Sequence, residues 1–228
     1  MPVFWPIDLL TPRNIALTKA PATVVGNPAL SGLSQRAASS AGRWRLTLDT
    51  VPLGEDDKVN VWRALEGLLQ GQLNQIVIPI DDLSRAPTPL DYTTDITFSD
   101  GATFSDGSTF AQSNYQARVL NARAIGATEM SFYIISGAKM QPGQVFSLGY
   151  RLYSISRIVS ETATTVTAKI WPPLREACIN GDYCDFTRPK LLCRLADDEG
   201  MAHPPLEYGR WTNGSVAFIE DTSPVADP

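Results

Sequence analysis

With 228 residues, the chain is long enough for one large domain or two small ones, each with a core of its own. Hydrophobic residues at 43% against 19% charged exclude wholesale disorder, and a net charge of −5 gives no basic footprint for gripping nucleic acid. No run approaches the roughly 18 apolar residues that span a bilayer, and the opening MPVFWPIDLL has no basic stretch before its apolar residues, so a soluble, unprocessed chain is expected.

The first forty residues are rich in Pro, Ala, Ser and Gly. They read as an extended arm with one or two edge strands, for example ATVVG at 22–26, and the arm proper is assigned to 1–30. Alternation begins in RWRLTLD, 43–49, where Trp44, Leu46 and Leu48 interleave with polar residues, the period of a half-buried strand. From Glu55 to Gln70 the period changes: Val59, Trp62, Leu65 and Leu69 fall on one helical face. Glu55, Asp56 and Asp57 stand at its start, where the helix dipole favours acids, and Gly71 supplies the stop. QIVIP at 75–79 is the next strand. Trp44, Leu46, Trp62 and Leu65 are the predicted core of this strand–helix–strand unit.

Residues 81–115 contain TFSDGATFSDGSTF, 97–110, which repeats six residues and begins them a third time. Each SDG triplet is turn chemistry, because Ser and Asp bond nearby backbone groups and Gly tolerates positive φ. Asp100 and Asp106 are two carboxylates where calcium wants several converging oxygens, and three hexads make only about one coil of a solenoid. A hairpin or meandering loop is therefore expected.

A second β-rich block runs from 116 to 195. Strands are expected at 119–123, 131–136, 145–148, 151–159 and 164–170, the third and fourth joined by a two-residue GlyTyr turn. Short strands at this spacing suggest a small barrel or sandwich. SVAFIE at 215–220 is one more strand, within a closing segment assigned to 196–228.

No catalytic constellation emerges. His203 is the only histidine and reads as a loop residue; no GxSxG or phosphate-loop spacing is present. The neighbouring pairs Asp56 and Asp57, Asp81 and Asp82, and Asp197 and Asp198 cannot face each other as acid and base, and Arg175 is expected in a structural ion pair. Cys178, Cys184 and Cys193 lack zinc spacing and are expected as buried or semi-exposed thiols, with a Cys178–Cys184 disulfide as the alternative. No metal, cofactor or enzymatic activity is expected.

GAKMQPGQVFSLGYRLYSI at 137–155, followed by TAKIWPPLREA at 167–177, resembles a strand pair and close found in distal tail proteins of long-tailed, siphovirus-like phages. GLSQR, GRWRLTL and LEGLLQGQLNQIVIP within 31–81 are similar to the ring-forming part of the same family, and the order of these segments carries the resemblance over about two thirds of the chain. Gln144 stands where the family pattern favours Asp. The resemblance implies a mainly β protein with one helix: a β-sandwich-like, ring-forming belt domain in 31–115 and 196–220, and an inserted barrel in 116–195. It implies a homohexameric ring in the virion tail, assembled in the host cytoplasm, that meets the tail tube protein and the baseplate hub or tail-tip proteins. DNA would pass through without specific binding. An acidic lumen would avoid phosphate contacts, and Asp95, Asp100 and Asp106 are the candidate lumen acids.

The alternative from the residues is a carbohydrate-binding module for a host receptor, with Phe132, Tyr133, Tyr150, Tyr153 and Trp171 available to stack on sugar rings. Alternation limits it, because Phe132 and Tyr133 must face opposite ways. A hydrolase is the third and weakest reading.

Overall fold

The computed structural model describes residues 2–27, 36–80, 105, 115–137, 139–202, 204–205 and 212–225. In chain order its elements are β1 (Val3–Phe4), β2 (Asn14–Val25), β3 (Arg36–Leu53), α1 (Asp56–Leu69), β4 (Ile76–Pro79), β5 (Gln116–Val119), β6 (Glu129–Ser136), β7 (Val145–Leu148), β8 (Arg151–Glu161), β9 (Thr165–Trp171), β10 (Tyr183–Asp185), β11 (Lys190–Leu195) and β12 (Thr212–Glu220). The protein is mainly β and divides into two units, Met1–Pro79 with Leu191–Pro228, and Ile80–Lys190. Among the described residues no helix is long and apolar enough to cross a membrane.

The first unit is a six-stranded sheet in the order β1-β4-β11-β12-β3-β2. β3 is its long member, pairing antiparallel with both β2 and β12. Its alternating Trp44, Leu46 and Leu48 are buried, as are Val51 and Leu53. The helix buries Val59, Trp62, Leu65 and Leu69, the face that the three-and-four spacing picks out. It ends at Gln70, whose left-handed φ of 50° lets its N–H reach the Glu66 carbonyl, and Gly71 continues at φ 65°. Asp56 and Asp57 occupy the first turn, where the partial positive charge of the free N–H groups suits them.

Although residues 1–30 were expected as an arm, the start of the chain is core. Trp5, Ile7 and Leu10 are buried, and the Trp5 ring meets Trp62 and Phe218 edge-on at 6.1 and 5.9 Å. Trp5 Nε1 donates to the Leu10 carbonyl at 3.0 Å, which satisfies the indole inside the apolar layer. β1 adds to β4 in parallel.

The second unit is a closed six-stranded barrel in the order β10-β5-β6-β9-β8-β7, sealed by β10 pairing with β7. Phe132, Phe146 and Phe186 meet at its centre, with Phe146 and Phe186 stacked at 5.1 Å and Phe132 edge-on to both. Tyr115, Tyr153, Met130 and Ile155 complete the packing. The Gly149–Tyr150 turn joins β7 to β8 with Leu148 opposite Arg151, as a two-residue hairpin requires. The insertion was expected to run to 195. β11 instead pairs with β12, Cys193 opposite Glu220 and Leu195 opposite Phe218, so 191–195 belong to the sheet. The hairpin or loop expected of the SDG repeat and the candidate acids Asp95, Asp100 and Asp106 lie outside the described residues, which take in only Ser105 of the repeat.

Candidate functional site

Three features stand out from structural packing: an open strand edge, a buried carboxylate network and a cavity in the barrel wall.

The open edge belongs to β2, the end strand of the sheet. β12 accompanies β3 only from Arg45 to Leu53, whereas β2 follows β3 back as far as Arg36. Ala22–Val25 and Arg36–Ser39 therefore form a two-stranded ribbon that continues past the strand on the other side of β3. Pro21 sits at the register shift between the Ala20–Arg43 and Ala22–Ser39 pairs, where its missing N–H costs no ladder bond. Val24 and Val25 are 68% and 58% exposed on this ribbon. Further along β2, the Lys19 ammonium stands over the Trp44 ring at 5.5 Å, and desolvation lowers its pKa from the ordinary lysine value.

The carboxylate network closes the sheet near the chain's end. Asp221 Oδ2 accepts from Gln75 Nε2 at 2.6 Å and from Arg194 Nε at 2.7 Å, and Oδ1 accepts from the Ser223 N–H at 2.9 Å. Burial works to raise its pKa, but the bonds from Ser223, Gln75 and Arg194 outweigh that and hold it at about 2. One residue earlier, at the end of β12, Glu220 Oε2 accepts the Trp44 N–H at 2.9 Å.

In the barrel, a cavity of about 440 Å³ opens beside the β7–β10 seam. Arg151 and Glu176 line it as an ion pair at 2.7 Å, with Arg151 only 3% exposed. Asp182, Tyr183, Asp185 and Lys190 line it as well. Asp182 Oδ2 accepts the Ile179 N–H at 2.8 Å, and Asp185 Oδ1 accepts the N–H groups of Thr187 and Arg188 at 3.1 and 3.0 Å. These turn bonds fix both carboxylates while engaging one oxygen of each. Ser147 also lines the cavity, and its buried Oγ has no hydrogen-bond partner among the described residues.

Several predicted residues are structural. Trp44, Leu46, Trp62 and Leu65 are buried. Of the aromatics considered for stacking on sugars, Phe132 and Tyr153 are barrel core, Tyr150 and Trp171 are half-buried, and Tyr133 is 44% exposed. Tyr183, 48% exposed, was not singled out because it sits in the turn-rich INGDY stretch, which shows no strand alternation. Cys178, Cys184 and Cys193 are buried free thiols, so the alternative Cys178–Cys184 disulfide is not formed. Arg175 donates its backbone N–H to the Tyr153 hydroxyl at 3.0 Å. His203 lies outside the described residues, and among those residues no three His, Cys, Asp or Glu side chains gather as metal ligands. A scan of protein-family models and a search of curated proteins returned no match to this chain.

Proposed function

We propose that the protein is a non-enzymatic assembly component that closes into a homohexameric ring, and that the ring joins a phage tail tube to its baseplate hub. The observation that carries the assembly reading is the open β2 edge with its overhanging ribbon. Among the described residues no strand pairs with the outer edge of β2, and that edge, on a strand of twelve residues bearing exposed valines, is a template for another strand. Pairing through it satisfies backbone groups on both sides without a preformed pocket. Where a different part of the chain receives this edge, the contact is heterologous, and repetition of it closes a ring when the rotation divides a full turn.

The tail assignment rests on the order of the sequence segments described above and agrees with a sheet that carries a barrel as an insertion. In that setting the partners are other copies of the chain, the tail tube protein and the hub proteins, and DNA passes through unbound. The test is the mass of the purified protein by light scattering behind a sizing column, with negative-stain images of the same peak. A six-fold ring, alone or on addition of tail tube protein, is the expected result. A monomer under both conditions overturns the proposal.

A further inference from the structure

We infer that the barrel carries a binding site for a neutral oligosaccharide, made of the cavity beside the β7–β10 seam and a row of side chains leading away from it. Strand register places the row. Tyr183 on β10 is paired with Arg118 on β5, and Arg118 is paired with Tyr133 on β6. Directly paired residues of antiparallel strands project from the same face, and all three are exposed. The two tyrosines are two strand spacings apart, about 10 Å, with the arginine between them. Tyr183 also lines the cavity, so row and cavity form one continuous surface.

The chemistry of the two parts agrees. Exposed tyrosine rings offer flat apolar faces with a polar tip, which suits a ligand whose own rings are apolar on one face and hydroxylated at the rim. The cavity supplies the matching polar groups. Asp182 Oδ1 and Asp185 Oδ2 take part in none of the hydrogen bonds that fix these carboxylates, and so remain available to hydroxyl donors. About 440 Å³ is within the range of small-ligand sites.

Charge gives no advantage to the other ligand that stacks on tyrosine and arginine, single-stranded nucleic acid, which is held in positively charged grooves. Three carboxylates, Glu176, Asp182 and Asp185, line the cavity against two cations, Arg151 and Lys190, and Arg151 is already paired with Glu176. With Arg118 of the row included, carboxylates and cations balance, so a phosphate backbone finds no net attraction here, whereas a neutral sugar needs none.

The inference does not depend on ring formation and is read out separately from it. The full-length protein is probed on an array of neutral hexose and N-acetylhexosamine oligosaccharides, with sialylated glycans and a single-stranded DNA 12-mer alongside. Saturation-transfer NMR with the same sugars at millimolar concentration covers weak binding. Expected is transfer to at least one neutral oligosaccharide, weakened about fivefold by Tyr183→Ala and by Tyr133→Ala and retained by Tyr183→Phe, which keeps the ring. Both positions are about half exposed, so these variants leave the core untouched. Silence toward every neutral sugar in both assays overturns the inference, as does preferential binding of DNA, or binding that survives the double alanine variant.

Discussion

Gly214 lies against the face of Trp62: a Cβ at 214 would stand 2.7 Å from indole Cη2 and 2.9 Å from Cζ3. The indole cannot yield, because it is fully buried and its Nε1 donates to the Met201 carbonyl at 3.2 Å. Gly214→Ala is expected to cost about 1–3 kcal/mol through overpacking. Urea denaturation checks it, and a midpoint equal to that of the parent protein would refute the contact.

Asp221 predicts an acid-labile sheet. Its folded pKa of about 2 lies below the 3.8 of a free carboxyl, so its contribution is fully present above about pH 4 and is lost as pH falls through 2. Asp221→Ala should flatten the stability profile between those values. It should also destabilise the protein at pH 7 by about 1–3 kcal/mol, because Gln75 and Arg194 each lose one of their acceptors. Denaturant midpoints of both proteins from pH 2 to 7 provide the measurement.

The thiols of Cys184 and Cys193 should be silent in the folded protein. Burial first, then the neighbouring Cys178 and Asp182, raises the Cys184 pKa; burial, then Glu220 and Asp221, raises that of Cys193. Since the thiolate is the reacting form, alkylation of Cys184 and Cys193 at neutral pH is expected to be slow until denaturant is added. Intact-mass spectrometry counts the adducts, and rapid labelling of the native protein would contradict the burial.

If the β2 edge builds the assembly, charge on the ribbon should prevent it. Val24→Lys with Val25→Lys places like charges on each copy's edge. Light scattering should then report a monomer with unchanged far-ultraviolet circular dichroism. A ring that survives the substitutions would move the contact elsewhere.

The elements most legible in the sequence were those whose burial is periodic. The helix was readable from Val59, Trp62, Leu65 and Leu69 because one stripe faces the sheet, and β3 from Trp44, Leu46 and Leu48 because one face is covered. Trp5 gave no such signal: it follows β1, which is only two residues long, and is held by Trp62 and Phe218, distant in sequence. β10 and β11 were missed for related reasons. β10 has three residues in a turn-rich stretch, and β11 reads KLLCRL, with a buried run too continuous to alternate. The row Tyr183, Arg118 and Tyr133 could not be read from spacing at all, since it exists only through pairing between strands 50 residues and more apart along the chain at its β10–β5 step.

The barrel leaves and rejoins the sheet between β4 and β11, which are neighbours in it, and Ile80 N–H donates to the Pro189 carbonyl at 2.7 Å where the two passages meet. The insertion thus occupies the place of a hairpin turn. A gene segment encoding any module whose two ends emerge side by side could be exchanged there without altering the strand order, so barrel and sheet are free to evolve at different rates.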